Sequence, residues 1–136
     1  MYLVDTSVWV DYIRGSETVV VEFLDNLLLM PMVVGLTDQI YMEILQGARS
    51  EAGFEKLQRY FSTQIFYRFK DFQLSHESAA RLFFKCRCQG ITVRSSNDCL
   101  TAQYALENEL ILLHHDKDFI QLGKIAPKLQ QKHFLD

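Results

Sequence analysis

The sequence has few cysteines and no long apolar run, and both absences restrict the kind of protein that it encodes. Three cysteines occur among the 136 residues, Cys86, Cys88 and Cys99. An odd number, without a leader-like pattern after Met1, is typical of reduced thiols, and the one-residue spacing of the first two does not fit a zinc site. The most apolar stretch, residues 27–34, is interrupted by proline and is shorter than the roughly 20 residues needed to cross a bilayer. We therefore expect a cytoplasmic protein with no membrane partner.

An excess of positive charge is also missing, because the formal net charge is -3 at pH 7. Proteins that bind duplex nucleic acid usually carry a basic stripe, so this value weighs weakly against such a partner. It is compatible with acids gathered around a divalent cation, since the ion supplies the local positive charge. No Gly-x-Gly-x-x-Gly motif follows a strand and no P-loop is present, which argues against a nucleotide-binding module of either type.

Short apolar segments that alternate with amphipathic ones predict an α/β fold. Strands are predicted at residues 2–4, 32–35, 64–69, 110–114 and 133–135, and helices at 8–14, 17–29, 37–47, 51–61, 75–89, 95–108 and 117–122. Ser7 and Ser75 are predicted to cap two of these helices. The alternation favours a parallel sheet covered by helices on both faces, a three-layer α/β/α arrangement in a single domain spanning 1–136.

Four acidic residues occupy positions that favour a shared site. Asp5 directly follows the first strand, and Asp116 follows the strand that ends near residue 113. Asp98 lies in the first turn of a helix, and Glu43 lies in the middle of a helix among apolar residues. In open parallel sheets, ligands bind at the carboxyl ends of the strands, so these carboxylates are expected at one edge.

Converging carboxylates repel one another unless a cation lies between them. Mg²⁺ or Mn²⁺ fits, because hard cations prefer oxygen ligands, and we assign Asp5, Asp98 and Asp116 as the metal ligands. A carboxylate outside the metal sphere can orient a water molecule or accept its proton. The hydroxyls or amides of Thr6 and Ser7, next to the first acid, are expected to hold a water or a substrate phosphate at a helix N-terminus.

Four further points about individual residues concern alternatives at the level of sequence. Asp118 is the alternative to Asp116, which we prefer because it is nearer the strand end, whereas Asp118 better suits the cap or first turn of the next helix. The three arginines considered for phosphate contacts, more commonly solvated or ion-paired, are Arg14, Arg49 and Arg94. Trp9 is interpreted as a core or interface residue. His114 and His115 are adjacent on a strand and should point to opposite faces, which disfavours a shared metal.

Four segments, in order, resemble the PIN-domain family, in particular VapC-type ribonuclease toxins of VapBC toxin–antitoxin systems. They are LVDTSVWVD (3–11), IYMEILQG (40–47), RSSNDCLTA (94–102) and LLHHDKDF (112–119). The resemblance implies a PIN-like α/β/α fold and a Mg²⁺- or Mn²⁺-dependent endoribonuclease with catalytic Asp5, Glu43, Asp98 and Asp116. It also implies an RNA substrate, a cognate antitoxin and a homodimer.

Two other functions are compatible with an aspartate after the first strand. One is a Mg²⁺-dependent phosphatase or phospho-acceptor domain, although the second aspartate expected two residues after the first is Ser7 here. The other is a non-catalytic PIN-like binding module, which would normally have lost one or more of the four acids. All four matching positions are acidic, so the nuclease is preferred.

Overall fold

Five short parallel strands form the centre of the protein, which a computed structural model describes over residues 1–136. In chain order the elements are β1 (Tyr2–Val4), α1 (Thr6–Ile13), α2 (Val19–Leu28), β2 (Val34–Leu36), α3 (Asp38–Gln46), α4 (Glu51–Phe61), β3 (Ile65–Phe66), α5 (Phe72–Cys88), α6 (Ser96–Glu107), β4 (Ile111–Leu113), α7 (Lys117–Ile125) and β5 (Gln130–Lys132). None of the helices is long and apolar enough to cross a bilayer.

The strand order β3-β2-β1-β4-β5 reverses the direction of the chain between β1 and β4. The chain first moves outward through β2 to β3 and then returns to β4 on the other side of β1. Because parallel crossovers are right-handed, the two directions place their helices on opposite faces. The helix contacts agree, since α1 contacts α2 and α3, α3 contacts α4, and α5, α6 and α7 contact one another. The predicted α/β/α fold with a parallel sheet is confirmed.

The two central strands are buried, as both faces of the sheet are covered. Leu3, Val4, Leu112 and Leu113 have no exposed surface, which explains why β1 and β4 are continuous apolar runs and not alternating ones. Trp9 is also fully buried, and its ring packs edge-on against another aromatic ring at 4.9 Å between centroids. Trp9 is therefore a core residue.

Four of the five strands differ from the prediction, although β4 is only one residue shorter at each end. β2 is shifted to Val34–Leu36, because Met32 adopts a left-handed conformation (φ 60°) that cannot belong to a strand. β3 contains only Ile65–Phe66. β5 is Gln130–Lys132 and not 133–135; it is a polar edge strand, so no apolar pattern marks it, and pairing with β4 alone fixes its position.

The predicted serine caps are wrong, because aspartates cap both helices. The Asp5 carboxylate accepts a hydrogen bond from the Ser7 amide at 2.9 Å, and Asp71 accepts one from the Leu74 amide at 3.0 Å. A negative charge at this position also interacts favourably with the helix dipole. Ser75 lies one turn inside α5, where its buried hydroxyl bonds to the Glu107 carboxylate at 2.9 Å.

Candidate active site at the reversal of the sheet

Asp5 stands at the carboxyl end of β1 and starts α1. Its main-chain N–H donates to the carbonyl of Leu113 in β4 at 2.9 Å, which ties it to the neighbouring strand. The side chain is nearly inaccessible, with 8% of the residue surface exposed. Burial raises the pKa of Asp5, hydrogen bonds from Ser7 partly offset this effect, and the charge of Asp116 adds to it. No cationic side chain contacts Asp5.

Asp116 repeats this arrangement after β4. Its carboxylate caps α7 by accepting the amide N–H of Asp118 at 2.9 Å. The two capped loops are connected directly, because the Ser7 hydroxyl oxygen accepts the main-chain N–H of His115 at 3.0 Å. The carboxyl ends of β1 and β4 therefore present two aspartates side by side, as the sequence predicted.

His114 fixes the main chain in front of Asp116. Its Nδ1 accepts the Asp116 amide N–H at 3.2 Å, and its Nε2 lies 2.8 Å from the amide oxygen of Gln131 in β5. Since Nδ1 is the acceptor, Nε2 carries the proton and donates it to Gln131. Burial lowers the pKa of His114 to about 4, which keeps the ring neutral. His114 is buried and His115 exposed, so they do face apart.

Asp98 lies where the fields of four other carboxylates overlap. It occupies the first turn of α6. Burial, followed by the charges of Asp5, Asp116, Asp118 and Glu43, raises its pKa to about 7. One carboxylate oxygen from each of Asp98, Asp116 and Asp118 lies within 4.8 Å of the other two. The four predicted acids therefore share one electrostatic environment, and Asp118 joins them.

Glu43 reaches the same region from the middle of α3. The side chain is half-buried, and its pKa is raised by burial and by the charge of Asp5, while the Thr6 hydroxyl lowers it. Thr6 Oγ1 is itself buried and has no partner that satisfies hydrogen-bond geometry. The hydroxyl lies close enough to Glu43 to act on its carboxylate without forming a well-aligned hydrogen bond, so it can turn to a group that enters the site.

Arg94 is the one cation that contacts the acids. Its Nη2 lies 3.1 Å from Asp116 Oδ1, and its Nε lies 3.1 Å from Asp118 Oδ2. Its main-chain N–H also donates to Asp118 Oδ2 at 3.1 Å. Asp118 is in the first turn of α7 and is not its cap, which is Asp116. Arg14 and Arg49 form no ion pair and line a cleft of about 480 Å³ beside Glu43.

The donor set fits a hard divalent cation. Every ionisable donor in the cluster is a carboxylate oxygen, the type of ligand that Mg²⁺ and Mn²⁺ prefer. Five carboxylates gather at this edge with one contacting guanidinium, and burial together with their mutual repulsion raises the pKa of Asp98. The unpartnered hydroxyl of Thr6 adds a neutral oxygen next to Asp5 and Glu43. A cation would relieve the repulsion and use these oxygens.

A single protein-family model matches both the fold and the region that contains the acidic cluster. The model of the PIN domain family matches residues 2–125, which include all five acids of the cluster. The chain belongs to the PIN domain family. Two curated relatives are VapC ribonuclease Mb1587 of Mycobacterium bovis and ribonuclease VapC11 of Mycobacterium tuberculosis. Each is 32% identical over 127 residues, which cover 93% of this chain and 94% of the relative.

Solved structures of VapBC complexes contain chains with the same fold as this PIN domain. VapBC2 of Rickettsia felis, bound to a promoter DNA fragment, gives a TM-score of 0.73 at 16% identity and covers 98% of both chains. VapBC-1 of nontypeable Haemophilus influenzae gives a TM-score of 0.72 at 19% identity, with 97% of this chain and 96% of that chain covered. At these identities the similarity establishes the fold.

Two contacts of this PIN domain were not predicted from its sequence. The link from Gln131 through His114 to Asp116 depends on β5, whose polar residues carry no strand pattern. The pairing of Arg94 with two aspartates depends on how the loop before α6 meets α7. For Arg94 the sequence favoured a solvated or ion-paired side chain over a phosphate contact, but it did not indicate which acids would be the partners.

Proposed function

We propose that this PIN domain is a metal-dependent endoribonuclease, the toxin component of a type II toxin–antitoxin system. The observation that carries the proposal is the convergence of Asp5, Glu43, Asp98 and Asp116 at the reversal of the sheet. The relatives that match almost the whole chain are named VapC ribonucleases, which favours RNA as the substrate. The relatives named above give no support to a phosphatase or a non-catalytic binding module.

In this proposal Asp5, Asp98 and Asp116 hold Mg²⁺ or Mn²⁺. A divalent ion supplies Lewis-acid chemistry, because it lowers the pKa of a water molecule and neutralises charge on phosphodiester oxygens. The charge of Asp116 raises the pKa of both Asp5 and Asp98, and at Asp98 it acts more strongly than the charge of Asp118. The stronger effect of the Asp116 charge favours Asp116 over Asp118 as the metal ligand.

Glu43 is assigned to the proton transfer. Its raised pKa favours accepting a proton from the attacking water, since the protonated form is less costly there than at a solvent-exposed glutamate. The unpartnered hydroxyl of Thr6 holds that water or a phosphate oxygen beside Glu43. Ser7 acts less directly, because its hydroxyl oxygen is engaged by the His115 amide and keeps the two aspartate loops together.

The partners proposed are an RNA substrate, a cognate antitoxin and a second copy of the chain. Solved relatives of this fold are VapBC complexes, so we expect an antitoxin to cover the site. An apolar groove of about 550 Å³ lies beside it and suits a partner's helix; its walls include Tyr12, Ile13, Leu57 and Tyr60. We further propose that residues 1–136 act as a single nuclease domain in the cytoplasm.

Metal-dependent cleavage by the wild-type protein and by an Asp5→Asn variant tests the function. Purified protein is incubated with a labelled structured RNA and Mg²⁺ or Mn²⁺, and then with EDTA. Cleavage should require the metal, and Asp5→Asn should reduce its rate by roughly 10²–10³-fold, because a ligand at the site of charge development is lost. The matched control is Asp11→Asn, which removes a half-buried carboxylate from the same helix, outside the acidic cluster.

The control separates a specific effect from a general effect of charge. Asp11→Asn should cleave within about threefold of the wild type, as a residue outside the site affects neither ligand nor substrate. If the folded wild-type protein left a broad panel of RNAs uncut with every metal, the nuclease assignment would fail. Equal loss of activity in Asp5→Asn and Asp11→Asn would contradict the assignment of Asp5 as a metal ligand.

A further inference from the structure

Arg94 supplies the cation for one part of the acidic cluster. The protein has three ion-pair contacts, and two of them join Arg94 to Asp116 and Asp118. The third, between Arg68 and Asp38 at 2.8 Å, lies on the surface outside the cluster. Asp5, Glu43 and Asp98 have no cationic partner.

The two sides of these ion pairs differ in exposure and in the number of other contacts that hold them. The side chains of Asp116 and Asp118 are 25% and 11% exposed, and the Asp116 carboxylate also caps a helix. The side chain of Arg94 is 73% exposed, and its only anchors are the two carboxylates. The main-chain N–H of Arg94 bonds to Asp118 independently of the guanidinium. The guanidinium can therefore leave without disturbing the acids.

We propose that the Arg94 guanidinium is an internal cation that a divalent metal must displace from Asp116 and Asp118. This inference rests on the proposed function, since Asp116 is a proposed metal ligand and one carboxylate oxygen of Asp118 lies within 4.8 Å of oxygens of Asp116 and Asp98. A positive guanidinium and a positive ion compete for the same oxygens, and their mutual repulsion disfavours simultaneous binding. Arg94 thus offsets part of the repulsion among the carboxylates in the metal-free protein, at the cost of weaker metal binding.

Isothermal titration of the full chain with Mn²⁺ tests the competition. The Arg94→Gln variant should bind Mn²⁺ roughly three- to tenfold more tightly than the wild type, in line with the modest strength of exposed ion pairs. Lys117→Gln is the matched control, because it removes the same charge from an exposed residue next to Asp116 that forms no ion pair. It should change the affinity by less than about twofold.

The comparison of the two variants decides between displacement and a general effect of charge. Equal tightening by Arg94→Gln and Lys117→Gln, or no tightening by Arg94→Gln, would overturn the proposal. If the wild type bound Mn²⁺ and cut RNA while Arg94→Gln bound no more tightly, the displacement would be wrong and the nuclease function would stand. Absence of Mn²⁺ binding in every protein would overturn both the displacement and the metal dependence.

Nuclear magnetic resonance follows the guanidinium itself. In the metal-free protein the Arg94 Nε–H donates to Asp118, and its resonance is identified by its loss in Arg94→Gln. Saturating Mg²⁺, which is diamagnetic, should move this resonance to the position of a solvent-exposed arginine. A resonance unchanged at saturating Mg²⁺ would show that Arg94 stays on Asp118, and would overturn the proposal.

Discussion

The loops that carry Asp5 and Asp116 have the same local structure, but only the Asp116 loop has a cationic partner. Each follows a central strand, and in each the aspartate caps the next helix, α1 or α7. Asp5 receives hydrogen bonds only from neutral donors at Ser7 and Thr6. Asp116 and its neighbour Asp118 share the guanidinium of Arg94.

This difference identifies the acids whose negative charge no side chain of the protein neutralises. Burial and neighbouring charges raise the pKa of the acids without a cationic partner, which are Asp5, Glu43 and Asp98. Burying a carboxylate without a counter-charge is costly. The helix caps hold the carboxylates in position, and a divalent ion would offset the repulsion between them. The buried carboxylates without a counter-charge therefore lower the stability of the metal-free protein, and they form a charged site at this edge of the sheet.

The largest effect on stability is expected at Asp98, which lies between the two loops. Its pKa of about 7, above the ordinary 3.8, means that the folded state holds its proton more tightly than the unfolded state. In metal-free protein the stabilising contribution is complete below about pH 4 and is lost as the pH rises to about 7. Asp98→Asn should therefore raise the free energy of unfolding at pH 8 by ~2 kcal/mol, after allowance for partial solvent screening.

Urea unfolding in EDTA at pH 5 and at pH 8 measures this effect. At pH 5 most of the folded wild type carries a proton on Asp98, so the variant and the wild type should differ by less than at pH 8. Asp11→Asn serves again as the control, because its carboxylate lies outside the cluster. A destabilised Asp98→Asn protein at pH 8 would mean that the carboxylates do not repel one another as described.

A smaller effect is expected where the two loops are joined. Ser7→Ala removes the oxygen that accepts the His115 amide, and it should lower the free energy of unfolding by about 0.5–1.5 kcal/mol, the usual value of one hydrogen bond. Ser16→Ala, at a half-buried serine whose side chain forms no hydrogen bond, should be nearly neutral. Equal unfolding midpoints for Ser7→Ala and the wild type would show that the contact does not couple the loops.

The Asp5 and Asp116 positions could be predicted from the sequence because their strands are buried apolar runs that end at an acid. Ligands in open parallel sheets bind at the carboxyl ends of the strands, so the two aspartates are expected to lie together. The choice between Asp5 and Ser7 as the cap of α1 could not be made in this way, since both residue types cap helices well. The structure also places Asp116 and Asp118 side by side on Arg94, while the preference for Asp116 as the fourth acid stays a prediction.

The features that sequence reasoning missed depend on contacts between distant segments. β5 is polar and is defined by pairing with β4, so its Gln131 could not be linked to His114. Met32 reverses the chain before β2 through a positive φ that is unusual for its residue type. The placement of the acids at one edge of the sheet was therefore predictable, while their counter-charges and supporting hydrogen bonds required the fold.

Anomalous scattering from crystals grown with Mn²⁺ tests the central claim most directly, because it locates the ion without reference to activity. The account predicts a strong difference peak in contact with the carboxylates of Asp5, Asp98 and Asp116, which disappears in crystals of Asp98→Asn. Crystals of the folded wild-type protein with no peak at these three carboxylates, or with peaks only elsewhere on the surface, would contradict it.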